Sequence, residues 1–577
     1  MSISEESNKR TPFLRSLFGK NAIFLIFPLL LVGPFLNFTR VIDYPFFAPA
    51  TALIAVALIV AGILIAHLVR RSSLGVRNLV LLALVVFYLD LEFELFRSEW
   101  AGVILVMATV AIFVVGIGER LWTVLTCMVA TMTATTFALA VFEVTFRSDA
   151  AGPNTKPILG TSASLPPILH IVFDEHIGLD GLSRRDAEAV SLRNSLESFY
   201  QDRGFTLFPK AYSQYAKTAM TLSHMFNFRH DYRGSEFIEP SESFGRYRMT
   251  KVAFLDGLRQ RGYRLYIFQN DYLDLCYSQP RDSLECDTTK AMSLSALRGG
   301  NLSLSNRIFA IWNLFLDNSQ VILRFRAAYW KVQTAVRKFG VTLPFWRPEV
   351  FHTVSISALS TLEKLDNALK DARPGDYYYA HLLLPHHPYT VDSQCQLIDP
   401  DRWIHLGTRF IAGRMGIEKK SQWSRLAPSL FYGQVSCVYQ WVDQLISRLE
   451  KNELWANSIV IFHGDHGSRI GVRTPSIENF ESLSKNEVLL NYSTLFAVRA
   501  PGLSAGVVDR ALPINRLFDR FFNSNFSSVD VEEMSPTPEV YALESDNFIE
   551  SGAQSFMTPL FYQEDRWPDL MGEASDH

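Results

Sequence analysis

Residues 463–467 read HGDHG and follow the apolar run Ile459–Phe462. Two imidazoles and a carboxylate within four positions are a donor set for a divalent cation, and the flanking glycines let backbone and ligand approach closely. Two more segments have the same form. ILHIVFDE ends an apolar run in Asp174 and Glu175, and YYYAHLLLPHHPY places His386 and His387 just after another. Short, continuous apolar runs read as parallel strands buried on both faces, and such sheets bind ligands beyond their strand carboxyl ends. Asp174, His386 and His387, and His463, Asp465 and His466 are then expected at one rim.

The elements that must position these residues follow an α/β pattern. VAFLDGLRQRGYRLYIFQND reads as helix, glycine turn and strand. A long amphipathic helix precedes SIVIFHGDHG, and YSTLFAVRAPG supplies a further strand. Repeated helix–strand units imply a mostly parallel central sheet with helices on both faces.

The first 146 residues differ from this pattern. They hold nearly all the long apolar runs of a chain that is 48% hydrophobic. About five spans are expected, near Asn21–Phe38, Phe47–Val69, Asn78–Phe96, Trp100–Gly118 and Leu121–Val144. Asp90, Glu92 and Glu94 crowd the third and belong at the water boundary. Basic residues concentrate in the N-terminal tail (Lys9, Arg10, Arg15, Lys20) and after the second span (Arg70, Arg71, Arg77). The positive-inside bias places both in the cytoplasm and everything after Phe146 outside. The expected order is a cytoplasmic tail at 1–20, a helical membrane domain at 21–146, a linker at 147–167 rich in Gly, Pro, Ser and Thr, an exported catalytic domain at 168–545 and a tail at 546–577. Cys276, Cys286, Cys395 and Cys437 lie in the exported part, where two disulfides would form, most simply Cys276–Cys286 and Cys395–Cys437. A net charge of −3 gives no basic field for nucleic acid. The stretch Asn306–Gly340, aromatic and basic, is expected either on an anionic membrane surface, helping to admit a lipid, or packed on the domain's own core.

With HIVFDE, YSQYAKTAMTLSHMFN, YYYAHLLLPHHPY, SIVIFHGDHG and FAVRAPG in this order, the chain resembles the alkaline phosphatase/sulfatase superfamily over about Leu165–Phe522. It looks most like the membrane-anchored members: lipid A phosphoethanolamine transferases, lipoteichoic acid synthases and phosphoglycerol transferases of periplasmic glucans. The resemblance implies Asp174, Asp465 and His466 as ligands of Zn²⁺ or Mn²⁺, and Thr218 in AKTAM as nucleophile and fourth ligand. It places His386 at the substrate or a second metal; beside it, His387 can share the acid/base role, Lys217 can add charge at the phosphate, and His463 is expected at the substrate or as a substitute ligand for a second ion. Past the set, the chain has one more histidine, His577, so a second ion has no evident downstream ligand. The sulfatase nucleophile pattern Cys-x-Pro-x-Arg, or its Ser form, is absent, so no formylglycine can form. Where the family often has Glu this chain has Asp174, with Glu175 beside it; where phosphoethanolamine transferases usually have an acid after DHG, Ser468 and Arg469 follow.

The implied activity is transfer of a phospho-head-group, phosphoethanolamine or phosphoglycerol, from a membrane phospholipid to an envelope glycan or glycolipid. The setting would be a bacterial inner membrane, multi-pass, with the catalytic domain on the periplasmic side. Hydrolysis, with water as acceptor, is the competing reading at the same site. A non-catalytic envelope scaffold is the third, opposed by the intact Asp174/Thr218/Asp465/His466 set.

Overall fold

The computed structural model describes residues 23–93, 127–138 and 165–558, apart from 232–233, 242–245, 281–283, 338, 342, 344–352, 401–402, 404–416, 471, 530–537 and 545–552. The chain divides into two compact units, Met1–Asn154 with Leu302–His352, and Thr155–Asn301 with Thr353–His577.

In the first unit, helices Ile23–Val41 and Pro49–Val69 are long and apolar enough to cross a membrane. Pro49 opens its helix at the first position, where the missing N–H costs nothing. That helix turns Leu53, Val56, Val60, Leu64 and Leu68 outward, an apolar exterior suited to lipid. Leu74–Phe93 is a third helix, and of the fifth expected span, Leu121–Val144, the described residues hold the helix Cys127–Ala138, the rest lying outside them. The fourth expected span, Trp100–Gly118, lies outside the described residues. Among the described residues two helices, rather than five, have the length and composition to span.

Helices Leu304–Asp317 and Gln320–Arg337 belong to this unit, although the chain reaches them from within the second. Asp90, fully buried, accepts from Ser319 Oγ at 2.7 Å and from Val321 N at 2.9 Å. It thereby caps the start of Gln320–Arg337, where unpaired N–H groups and the helix dipole favour a carboxylate. Phe315 meets Phe35 edge-on at 5.3 Å, and Arg326 pairs with Asp317 in the interior. Asn306–Gly340 was expected on a membrane surface or on the catalytic core. Its helices belong with the apolar N-terminal helices rather than the catalytic core, because Asp90 and Phe35 supply their partners.

The second unit is built on an eight-stranded sheet. In chain order its strands are β1 (Ile168–Phe173), β2 (Thr206–Leu207), β3 (Arg264–Asn270), β4 (Leu284–Thr289), β5 (Asp376–Leu382), β6 (Ile459–Gly464), β7 (Phe496–Arg499) and β8 (Gly506–Val507). The spatial order is β8-β2-β7-β6-β1-β5-β3-β4. From β6 to β4 all neighbours are parallel, and β7 is antiparallel to β6 and β2. The sheet is thus mostly parallel.

Every residue of β1, β5 and β6 is buried, which explains their unbroken apolar runs. Alternate residues of β1 serve opposite faces. Leu169, Ile171 and Phe173 join Leu196, Tyr200, Val438 and Val442 on one side, while Ile168 and Val172 join Phe226, Phe254 and Phe518 on the other. Register brings the strand ends level: Phe173 lies opposite both Leu382 and Gly464. The residues that follow β1 and β6 therefore emerge side by side.

Disulfides join Cys276 to Cys286 and Cys395 to Cys437. A strand pair, Glu539–Leu543 with Ala553–Met557, carries ordered structure beyond residue 545, where a tail was expected to begin.

Candidate active site and metal centre

The loop after β6 owes its path to two glycines. A Cβ on Gly464 would lie 2.3 Å from Thr494 Oγ1 and 2.7 Å from the His176 carbonyl. One on Gly467 would lie 2.2 Å from the Leu490 carbonyl oxygen. All three distances are far inside van der Waals contact, so the Thr494 side chain and the His176 and Leu490 carbonyls can approach only glycine. Between these glycines, Asp465 Oδ1 accepts from Glu175 N at 3.0 Å and His466 N at 2.8 Å. Asp174 N bonds to Leu382 O at 3.0 Å, holding the residue after β1 against the end of β5. Helix Thr218–Phe226 opens at Thr218 itself, following Lys217 in the cap position.

These elements converge. His466 Nε2 lies 3.3 Å from Asp465 Oδ2, 3.8 Å from Asp174 Oδ1 and 3.4 Å from Thr218 Oγ1. The four side chains are buried, none more than 5% exposed. His466 Nδ1 lies 2.9 Å from the Gly467 carbonyl, which only an N–H can satisfy, so Nε2 presents its lone pair to the cluster. Among the described residues, Asp174 Oδ1 and Asp465 Oδ2 have no hydrogen-bonded partner of good geometry. Burial drives the Asp174 carboxyl well above its usual range, reinforced by the charges of Asp465 and Glu175. Burial also pushes Asp465 up to about 6, against the Thr218 hydroxyl and the amides it accepts from. Burial keeps His466 neutral, well below its usual range, with Arg469 acting in the same direction. Two adjacent buried carboxylates facing lone pairs are costly without a cation. Ligands at about 2.1 Å around a tetrahedral ion lie about 3.4 Å apart, close to the observed spacings. The residues thus fit a divalent ion held by Asp174, Asp465, His466 and Thr218.

His381, on β5, also faces this cluster. Its Nε2 is 4.0 Å from Asp174 Oδ2, and Asp174, His381 and Asp465 present ligand atoms within 4.8 Å of one another. Its hydrogen bonds argue against ligation. Asn270 Oδ1 accepts from Tyr272 N at 2.9 Å, which turns Asn270 Nδ2–H toward His381 Nδ1 at 3.1 Å. Nδ1 is then an acceptor, and neutral His381 carries its proton on Nε2, directed at Asp174. Burial, with His463 adding, lowers His381 to about 3, so it stays neutral. At 4.0 Å it makes no hydrogen bond to Asp174 and lies beside the ligand set as a neutral imidazole.

A second, more exposed group surrounds Glu175, whose backbone is left-handed at φ 64°. Arg469 Nε and Nη2 donate to Glu175 Oε1 at 2.9 and 2.5 Å. His387 N and Nδ1 lie 3.3 and 3.0 Å from Oε2. His386 Nε2 is 3.6 Å from Oε1, and its ring stacks on His387 at 4.1 Å. Burial works to raise Glu175, but His386, His387 and Arg469 outweigh it and hold the carboxyl well below its usual range. The histidine loop is fixed from behind: Ser355 Oγ donates to His386 O and Pro388 O at 2.7 Å, and Gln434 Nε2 to Pro385 O at 3.0 Å.

Of the other residues expected at the site, Lys217 is half-buried at the helix start. His463, expected at the substrate, is turned into the core. Its Nδ1 meets the Gly464 carbonyl and its Nε2 meets His170 Nε2 at 2.8 Å, with Tyr377 closing the chain at His170 Nδ1. As a β6 residue it alternates to the sheet face, whereas Asp465 lies beyond the strand end. Thr221, the other hydroxyl near Thr218, donates to Tyr215 O at 3.1 Å. Sequence reasoning missed His381, Ser355 and Gln434. The first was visible only as a histidine inside an otherwise apolar strand. A cavity of about 620 Å³, lined by Arg298, Asp366, Trp441 and Gln444 among others, shares no residue with either group.

Solved structures with a similar fold include a phosphonate monoester hydrolase of Agrobacterium radiobacter (12% identity, 66% of this chain and 81% of that one, TM-score 0.36). Another from Silicibacter pomeroyi matches at 11% identity, covering 66% and 80%, with a TM-score of 0.36. A 2-O GAG sulfatase matches at 13% identity, covering 66% and 78%, with a TM-score of 0.38. No curated protein sequence matches the chain. The family model described as Sulfatase matches residues 173–492, more than half of the 577, and spans Asp174, Thr218, His386, Asp465 and His466: the chain belongs to the sulfatase family.

Proposed function

We propose that this enzyme moves a phospho-head-group from a membrane phospholipid to an envelope glycan or glycolipid through a phospho-threonine on Thr218. The observation that carries the reading is the Thr218 hydroxyl at the head of a buried helix, 3.4 Å from His466 Nε2 and inside a cation-ready set. The Cys-x-Pro-x-Arg pattern that gives sulfatases their formylglycine is absent from this chain, which supports a hydroxyl nucleophile. A divalent ion bound there, zinc or manganese, lowers the pKa of the hydroxyl it touches and draws charge from phosphoryl oxygens.

In the first step the Thr218 oxygen bonds to phosphorus, the phosphorus–oxygen bond to diacylglycerol breaks, and diacylglycerol leaves with a proton. In the second, an acceptor hydroxyl attacks phosphorus and Thr218 departs, regaining its proton. This is covalent catalysis that splits one displacement into two. His386 is the imidazole assigned to the proton transfers: its Nδ1 is committed to the His387 carbonyl, its Nε2 lies 3.6 Å from Glu175 Oε1, and burial lowers it to about 3, so it enters the reaction neutral. The apolar helices support a membrane donor, since each CH₂ drawn from a bilayer costs about 0.8 kcal/mol. The two disulfides suit an oxidising, extracytoplasmic compartment.

The test is incubation of purified protein in mixed micelles with a head-group-labelled phospholipid and an envelope glycolipid. Release of diacylglycerol with label on the glycolipid is the expected outcome. Label recovered only as free head-group phosphate makes the enzyme a hydrolase and overturns the transfer reading.

A further inference from the structure

Glu175, His386 and His387 form a second cluster of metal-ligand type, with atoms within 4.8 Å of one another. Its hydrogen bonding is the opposite of that of the Asp174 set. Glu175 Oε1 accepts twice from Arg469 and Oε2 twice from His387, so all four lone-pair positions of the carboxylate are engaged. Asp174 Oδ1 and Asp465 Oδ2, by contrast, have no such partner among the described residues. Glu175 is also locked from the backbone side, since its N–H donates to Asp465 Oδ1 at 3.0 Å.

We propose that Arg469 stands where a second cation would sit: the chain loads one divalent ion, and the Arg469 guanidinium, braced on Glu175, receives the anionic group of the substrate. Exposure separates the two roles. Side chains of Arg469, His386 and His387 are 20%, 20% and 13% accessible, whereas the Asp174, Asp465 and His466 side chains are 4%, 0% and 0%. Solvent and substrate reach the Arg469 rim first. Arg469 spends Nε and Nη2 on Glu175 and makes no hydrogen bond through Nη1 to a described residue. A planar fork held on one edge offers its remaining N–H groups to phosphoryl oxygens in fixed geometry. Its own backbone is held in the left-handed region at φ 49°, with Arg469 N donating to Leu490 O at 3.0 Å, so the side chain leaves the loop in one direction.

The inference concerns the site of the proposed transferase, and its test is independent of donor and acceptor. Chelator-treated protein is titrated with Zn²⁺ and Mn²⁺ by calorimetry, with bound metal counted by mass spectrometry. One tight ion per chain is expected, and none in Asp465→Asn. Inorganic phosphate is then titrated into the metal-loaded protein. Arg469→Met leaves Glu175 charged and buried, so the double variant Glu175→Gln/Arg469→Met, which removes both charges, is the working comparison, with thermal melting to establish folding. It is expected to keep its single ion and to bind phosphate about ten- to a hundredfold more weakly. Two tight ions per wild-type chain, or phosphate affinity in the double variant within twofold of wild type, would overturn the proposal. Failure of lipid transfer in the product assay would leave both readouts unchanged.

Discussion

Gly467→Ala tests whether backbone packing places the ligand loop. The new Cβ would meet the Leu490 carbonyl oxygen at 2.2 Å and its carbon at 2.8 Å. An ordinary carbon–oxygen contact is about 3.3 Å, so the loop must retreat by about 1 Å. Leu490 is 1% exposed and cannot yield. Retreat breaks Gly467 N→Asn491 O and Arg469 N→Leu490 O, both 3.0 Å. Overpacking and two weakened hydrogen bonds together cost about 2–4 kcal/mol. At about 2 cal/mol/K per residue, a domain of this size has an unfolding entropy of about 0.8 kcal/mol/K, which gives a fall in Tm of about 3–5 °C. His466 and Asp465 precede the glycine directly, so a displacement of about 1 Å should weaken divalent-ion binding on the order of a hundredfold. Calorimetric melting and metal titration measure both. Gly299→Ala is the control, because its Cβ meets nothing within 4 Å. Wild-type Tm and metal affinity in Gly467→Ala would refute the argument.

Three further outcomes follow from the geometry. In ion-free protein Asp465 titrates near 6, above its unfolded value, so the folded state holds a proton the unfolded chain has released between about pH 4 and pH 6. Its contribution is therefore present at low pH and lost as pH rises through 6. Ion-free Asp465→Asn should melt above wild type at pH 7.5 and level with it at pH 4.5; the reverse ordering would sink the assignment. His381→Gln removes a neutral neighbour of the ligand set rather than a ligand and should weaken metal binding by no more than about ten- to a hundredfold, while Asp465→Asn abolishes it. Equal loss in a metal titration would make His381 a ligand. Asp90→Ala removes the cap of Gln320–Arg337 and should destabilise the first unit by about 1–3 kcal/mol in detergent, read by melting and by faster proteolysis within 302–352. Unchanged melting and cleavage would show that the cap does not hold those helices.

The strand ends were legible because their signals are local. ILHIVFDE, AHLLLPHH and IVIFHGDHG each carry an apolar run and its polar terminus in one stretch, and the parallel register does the rest. Thr218 was readable through its segment and its place at a helix start. What was not legible depends on partners remote in sequence. Arg469 pairs with Glu175 across 294 positions, Asn270 sets the His381 tautomer across 111, and Asp90 reaches Ser319 across 229. No periodicity encodes such pairings. His463 failed for a related reason: spacing within HGDHG does not say that the strand ends between the two histidines, and the strand's alternation turns the first one inward. The segment 302–352 read as amphipathic, but its apolar partner, the bundle around Phe35, could not be chosen from composition.

The central claim is that Thr218 carries the transferred group. The direct measurement is peptide mass spectrometry of metal-loaded protein quenched after exposure to phospholipid without acceptor. The account predicts a head-group-phosphate adduct on the peptide containing Thr218, absent in Thr218→Ala and discharged on adding acceptor. An unmodified Thr218 peptide in protein that is turning over lipid, or an adduct on another residue, would contradict it.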